Sequence, residues 1–123
     1  MGDLRITKVN LTEALGRISE PWQPRVAGEL NGQHVKLAKM LGEFPWHAHD
    51  DADEMFLVLR GAFRLELRDR AIDVAEGEIV IVPRGVEHRP VAEREAHVML
   101  FEPAGTVNTG ALRNELTTIG ERI

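Results

Sequence analysis

Two histidines separated by a single residue, His47 and His49 in the stretch Pro45-Trp46-His47-Ala48-His49, have the types and spacing that most directly indicate chemistry. On an extended strand, side chains two positions apart point to the same face, so the two imidazoles converge while Ala48 turns away. Imidazole nitrogens bind ions such as zinc at about 2.0–2.1 Å. The pair therefore predicts one half of a metal site.

Glu54 and His88 complete the candidate ligand set. Glu54 opens the next predicted strand and can place a carboxylate on the same interior face, and His88 follows the turn Pro83-Arg84-Gly85. Three histidines and one carboxylate leave one or two positions open on a five- or six-coordinate ion, and open positions distinguish a working site from a structural one. The expected cofactor is one divalent ion, and Zn, Ni, Fe, Mn and Co all accept such ligands.

The composition excludes several other kinds of chemistry. Because there is no cysteine, disulfides, thiolate ligands, iron–sulfur clusters and cysteine nucleophiles are ruled out. The net charge of −5 predicts no nucleic-acid partner. No stretch approaches the roughly 18 consecutive apolar residues of a membrane span. The charged start, Met1–Lys8, does not resemble a signal peptide, so we expect no membrane association and a cytoplasmic location.

Short strands are expected to position the ligands. Residues 9–18 predict one short helix with Asn10 or Thr12 as its cap, and the pattern then changes to period two. Asn31-Gly32 predicts a tight hairpin, and a turn-rich tail from Glu102 onward is expected to pack back across the strands. About eight strands at regular spacing favour an antiparallel sandwich or barrel. The predicted strands are Arg25–Leu30, Gln33–Leu41, Asp53–Arg60, Phe63–Arg68, Ala71–Ala75, Glu78–Val82, 89–92 and 96–101.

With these spacings the chain resembles the cupin superfamily. The first motif of that family corresponds to Gly42, His47, His49, Glu54 and Gly61, and the second to Gly77, Pro83, Gly85 and His88. The resemblance implies an all-β, jelly-roll barrel (the cupin-type double-stranded β-helix) with a short N-terminal helix. It also implies one domain over residues 1–123, with both motifs within 42–92. His47, His49, Glu54 and His88 are then the metal ligands.

Two positions depart from the family pattern. Ala92 stands where the second motif often has asparagine, and four residues rather than five separate Gly42 from His47. Neither position is a ligand, so the metal site is unaffected. The loss of the asparagine puts in doubt any family mechanism that uses it.

A pocket is expected around the ion. The candidate lining residues are Trp46, Phe56, Arg89, Met99 and Phe101, and plain core filling is the alternative for the apolar ones. Arg84 and Arg89 either bind an anionic group of a substrate or are solvated charges at the barrel rim. His34 and His97 are interpreted as packing or surface residues. Asp50, Asp51 and Asp53 are expected to be exposed, with a hydrogen bond to a ligand histidine as the alternative.

A second metal interpretation uses some of the same residues. The stretch His47-Ala48-His49-Asp50-Asp51 matches most of the metal motif of metallo-β-lactamase-like hydrolases, but Ala52 stands where that motif needs a third histidine. Those hydrolases also need an αββα sandwich much longer than this chain.

The sequence defines the candidate metal site more clearly than it defines the function of that site. The leading hypothesis is a small-molecule metalloenzyme with isomerase or dioxygenase-like chemistry on an oxygen-rich substrate, in which Glu54 is a ligand or an acid/base. The alternative is a non-catalytic binding or sensing module with a metal-ordered pocket, favoured because the motifs contain no second acid/base candidate. A third possibility is a metal ion with a purely structural role, which only stabilises the barrel. By analogy with small cupins, we also expect a homodimer through the N-terminal strands, Arg25–Leu41.

Overall fold

The computed structural model describes residues 6–123, which form one short helix and eight strands. Met1–Arg5, part of the stretch expected to lack a signal peptide, lie outside the described residues. Among the described residues, no helix is long and apolar enough to cross a membrane. The elements are α1 Leu11–Gly16, β1 Arg25–Leu30, β2 Gln33–Glu43, β3 Glu54–Arg60, β4 Ala62–Glu66, β5 Ala71–Ala75, β6 Ile79–Val82, β7 Arg89–Pro103 and β8 Glu121–Arg122.

The long strand β7 organises the sheet. Strand β2 pairs antiparallel with β7 along most of its length, while the other edge of β7 pairs with β4 near its start and with β3 near its end. The full order is β5-β4-β7-β2-β1-β8, and β6 pairs with β3. An irregularity between Met40 and Gly42 lies where β7 changes partners, and such bulges bend a sheet. The bend lets both halves of the strand set enclose one core, which confirms the predicted all-β jelly-roll class.

Most predicted strand boundaries are confirmed within one or two residues. Asn31 and Gly32 have φ angles of 51° and 77°, as a type I′ hairpin turn requires. The predicted segments 89–92 and 96–101 are in fact one continuous strand, β7. The three exposed charged residues between them, 93–95, lie opposite the β2 irregularity and break the apolar alternation without breaking the strand.

The barrel interior is filled by alternate side chains of strands from both halves. Because successive residues of a strand face opposite sides, the inward sets are apolar wherever the strand crosses the core. The buried interior residues are Ala38, Met40, Phe56, Val58, Phe63, Leu65, Val74, Val82, Ala92, Ala96, Val98 and Leu100. Ala92, at the position where asparagine is common in the family, is therefore part of this core.

The outer face of the β2–β7 region is also apolar, because α1 covers it. The helix begins after Asn10, whose side-chain oxygen accepts a hydrogen bond from the Glu13 amide at 3.0 Å, so Asn10 rather than Thr12 is the cap. Ala14, Leu15 and Ile18 form a second cluster with Leu37, and Met99 packs against it. The strands between these two clusters thus have apolar side chains on both faces.

The segment after β7 folds back over the barrel, as the turn-rich sequence predicts. The short strand β8, which the sequence analysis did not predict, pairs parallel with β1, and the Ile123 amide donates to the Val26 carbonyl at 2.9 Å. Gly110 lies directly against the backbone of Ala48 and has a φ of 61°. The segment therefore contacts the backbone that carries the histidine pair.

Candidate metal centre

Two extended segments outside the main strands bring the histidines together. The stretch after β2 runs antiparallel to the stretch before β7, and His47 and His88 exchange backbone hydrogen bonds of 3.1 and 2.9 Å. The Gly85 amide also donates to the His49 carbonyl at 2.8 Å. This pairing places the His47 and His88 rings directly opposite each other, with centroids 4.3 Å apart. The predicted turn that ends at Gly85 therefore delivers His88 to the histidine pair.

His47, His49, Glu54 and His88 form one buried cluster, with a ligand atom of each within 4.8 Å of the others. The Glu54 Oε1 atom lies 3.5 Å from His49 Nε2 and 3.6 Å from His88 Nε2. These distances are too long for good hydrogen bonds, and all three atoms are buried without any hydrogen-bond partner. Because buried polar atoms are nearly always partnered, three such atoms converging on one point fit a metal ion between them.

Two of the imidazole rings are held with Nε2 free to bind. The Nδ1 atom of His47 donates to the Pro45 carbonyl and that of His88 donates to the Val86 carbonyl, each at 2.9 Å. A hydrogen on Nδ1 leaves the Nε2 lone pair for a metal, and such carbonyl contacts fix the ring orientation. Burial, together with the nearby His88, lowers the pKa of His47 to about 4. His47 is therefore neutral, as a ligand must be, at neutral pH.

The low pKa of His47 predicts a pH effect on the stability of the metal-free protein. Between pH 6.5 and about 4 the unfolded chain binds a proton that folded His47 does not bind, so this residue lowers the free energy of unfolding as the pH falls. The loss is about 2 kcal/mol at pH 5 relative to pH 7.5. Urea unfolding in the presence of a chelator, at both pH values, measures this loss. The contribution of His47 is the pH dependence of the wild type minus that of His47→Gln, because the other groups titrate in both proteins. An equal pH dependence in the two proteins would contradict the assignment.

A small cavity adjoins the cluster, and His47 and Glu54 form part of its wall. The remaining lining is apolar except for Asn108, whose amide donates to the Leu116 carbonyl and accepts from the Thr118 amide. An open position on an ion would thus face a mostly apolar space. The other lining residues are Trp22, Pro24, Ala38, Met40, Phe44, Phe56, Pro90 and Leu100.

Trp22 is a cavity residue that the sequence analysis missed. It lies between α1 and β1 with a φ of 63°, a left-handed conformation that is rare for a bulky side chain. Its indole nitrogen donates to the Leu41 carbonyl at 2.8 Å, and its ring lies 4.9 Å from that of Phe44. A tryptophan in a proline-flanked loop was the only signal for this role.

The structure places only Phe56 of the five predicted lining residues in this cavity wall. Trp46 turns outward instead, with the Arg68 guanidinium 4.0 Å and the Arg89 guanidinium 5.4 Å from its ring centre. Arg89 forms ion pairs with Glu66 at 2.8 Å and Glu43 at 3.2 Å. Its charge is therefore already compensated on the outside of the barrel.

Met99 and Phe101 lie on the outer face of β7, because the alternate residues Val98, Leu100 and Glu102 point inward.

Asp50, Asp51 and Asp53 are exposed, as predicted, and Asp53 accepts hydrogen bonds from the backbone and side chain of Arg84. His34 and His97 are outside the cluster and pair with Glu29 and Glu95. These placements agree with the packing or surface interpretation of both histidines.

Two ionisable residues behind the cluster, Lys36 and Glu102, were also missed. Both are almost completely buried, and the Lys36 ammonium lies 2.9 Å from Glu102 Oε1. Burial, strengthened by the adjacent Glu54, raises the pKa of Glu102 to about 9. Burial alone would also raise the pKa of Glu54, but its contacts with Glu102 and the histidines outweigh this and hold it well below its usual range. The alternation of β2 and β7 contained a signal, because both residues share a face with core side chains.

Comparison with known proteins identifies the family. The Cupin domain family matches residues 33–102, more than half of the chain, and the chain belongs to this family. The alternative αββα hydrolase fold is excluded by the barrel. The uncharacterized protein YdbB of Bacillus subtilis (strain 168) is 32% identical over 81 residues, which cover 65% of this chain and 72% of YdbB.

Two solved structures are also similar. A cupin-2 domain containing protein from Shewanella frigidimarina NCIMB 400 is 40% identical with a TM-score of 0.76, over 77% of this chain and 93% of that one. Protein NMB1881 from Neisseria meningitidis is 32% identical with a TM-score of 0.74, over 79% and 99%. These similarities support the fold and the family but name no substrate.

Proposed function

We propose that this cupin binds one divalent transition-metal ion on His47, His49, Glu54 and His88, and uses it to hold a small, mostly apolar molecule with an oxygen donor. The observation that carries the proposal is the convergence of three partnerless buried atoms, His49 Nε2, His88 Nε2 and Glu54 Oε1, on one point beside a cavity. A bound ion supplies Lewis-acid polarisation of the donor oxygen. The imidazole and carboxylate set suits Zn, Ni, Fe, Mn or Co.

The cavity wall favours an apolar ligand over an oxygen-rich one. Sugars and similar molecules need several hydrogen-bonding partners, and leaving polar groups unpaired on burial is costly. Among the described lining residues, only His47 and Glu54 are titratable, and both are assigned to the metal. We therefore favour dioxygenase-like chemistry over sugar isomerisation, which needs a separate acid or base.

A non-catalytic binding or sensing module remains the second candidate. It is favoured by the same observation, since a wall without a free acid/base group can bind a ligand without moving a proton. The predicted homodimer and the cytoplasmic location remain predictions. In the structure β8 pairs with the outer edge of β1 only at Arg25 and Val26, so the rest of that edge has no strand partner among the described residues.

Metal loading followed by a ligand screen tests the proposal. We expect chelator-treated protein to take up one equivalent of Co²⁺ and the loaded form to be stabilised against heat by small phenols or aromatic keto acids more than by sugars. Ala38→Leu, which fills the cavity away from the ligands, should weaken ligand binding at least tenfold and leave Co²⁺ affinity unchanged. Oxygen uptake with the best ligands separates enzyme from binding module. Absence of metal uptake would refute the proposal.

A further inference from the structure

Three ionisable side chains meet in the barrel interior behind the candidate metal centre. Lys36 from β2, Glu102 from β7 and Glu54 from β3 are 0%, 2% and 3% exposed. The Lys36 ammonium contacts Glu102 Oε1 at 2.9 Å and donates to the Thr106 carbonyl at 3.0 Å. Glu54 and Glu102 lie next to the paired residues Met55 and Phe101 of β3 and β7, and both side chains are buried, so the two carboxyl groups are cross-strand neighbours. A row of buried polar groups thus runs from the Thr106 carbonyl through Lys36 and Glu102 to Glu54 of the candidate metal cluster.

Stability alone does not explain this arrangement. Removing a carboxylate and an ammonium from water is expensive, and well-packed apolar residues of similar volume are often equally or more stabilising than a buried ion pair. The other strong ion pairs among the described residues, such as Arg25–Glu121, lie at least partly in solvent. The Lys36–Glu102 pair is instead placed directly against a residue of the candidate site.

Glu54 needs such a partner to be an effective ligand. Its Oε1 atom has no hydrogen-bond donor and lies 3.5–3.6 Å from two imidazole nitrogens, so the histidines do not fix its position. A flexible glutamate loses less side-chain entropy on metal binding when neighbouring groups already hold it in the bound conformation. Residues that orient a metal ligand in this way commonly change metal affinity when they are replaced.

We propose that Glu102 and Lys36 are positioning residues that hold the Glu54 carboxyl with Oε1 facing the three imidazoles. Lys36 orients Glu102, and Glu102 in turn contacts Glu54. The inference rests on the proposed metal binding. It gives a role to Lys36 and Glu102, two buried residues that are not among the proposed ligands.

Co²⁺ titration of metal-free variants tests the inference. The double variant Lys36→Met/Glu102→Leu removes both polar groups together and so leaves neither of them buried without its partner. We expect it to bind Co²⁺ about 10–100-fold more weakly, with a changed visible spectrum of the bound ion. Glu102→Gln can still donate to Glu54 and accept from Lys36, so it should stay within about threefold of the wild type and keep its spectrum. Lys39→Met is the control, because Lys39 belongs to the same strand but its side chain faces outward.

The outcomes separate this inference from the proposed function. A folded double variant with wild-type Co²⁺ affinity and spectrum would overturn the positioning role while leaving the metal site intact. If the wild type itself binds no Co²⁺, the proposed function fails, and the inference fails with it. Should the double variant not fold, Glu102→Asp keeps the carboxyl but shortens its reach, and unchanged Co²⁺ affinity in that variant would equally overturn the inference.

Discussion

Replacing His88 with alanine is expected to weaken metal binding by at least about 100-fold. His88 is completely buried, its ring is held through Nδ1, and its Nε2 atom faces Glu54 Oε1. Alanine removes one of the four proposed ligands, and no other described histidine is near enough to replace it. The cavity it leaves should lower the free energy of unfolding of the metal-free protein by about 1–3 kcal/mol, which the barrel can tolerate.

Competition with a chelator of known affinity, using Co²⁺ as the probe, measures this effect. His97→Ala provides a matched control, because His97 lies on the outer face, pairs with Glu95 and does not belong to the cluster. Wild-type affinity in the His88 variant would show that the ion binds elsewhere. A large loss in the His97 variant as well would indicate a general effect on the fold.

Replacing Gly110 with alanine is expected to destabilise the protein more than alanine at any other described glycine. A Cβ atom at this position would overlap the carbonyl oxygen of Ala48 and lie 3.0 Å from its carbonyl carbon. Both obstacles are backbone atoms, so no side chain can rotate away. The φ of 61° adds about 1–2 kcal/mol of strain for any residue with a Cβ. Because Ala48 lies between His47 and His49, relief of the overlap must also shift the histidine pair.

Gly105→Ala isolates the steric part of this effect. Gly105 has a similar left-handed φ of 86°, but a Cβ there would meet no atom within 4 Å. Urea unfolding should show Gly110→Ala to be at least about 2 kcal/mol less stable than Gly105→Ala, with a weakened Co²⁺ affinity only in the former. Equal destabilisation of the two variants would mean that the close contact with Ala48 is unimportant.

The sequence was sufficient to predict most of the strands and the histidine pair of the candidate cluster because both have short-range signals. Asn31-Gly32 sets a hairpin by its local conformation, and His47 and His49 share a face through the period of an extended chain. The sequence also placed Glu54 and His88 together, although only through motif spacing. In the structure that spacing corresponds to the reciprocal backbone pairing of His47 with His88.

The cavity wall could not be predicted in the same way. The alternation of side chains along a strand separates its two faces. It shows which face points inward only when the outer face is polar. Because α1 packs on the outside of β2 and β7, Met99 looks as suitable for the interior as Leu100 does. Conversely, Lys36 and Glu102 look like solvated charges until the barrel closes around them. Trp22 enters the wall from a loop, where no periodicity applies.

The pairing of His47 with His88 has a consequence for how the protein would acquire the proposed ion during synthesis. His47, His49 and Glu54 leave the ribosome close together, but His88 follows only after the rest of β3 and strands β4, β5 and β6 have emerged. An ion captured by the early three ligands would be weakly held and could exchange freely. Secure capture must wait until distant parts of the chain have closed against each other, and closing such long loops is a slow step in barrel folding. An ion bound at the proposed site should therefore reflect the supply available after folding rather than the first ion encountered.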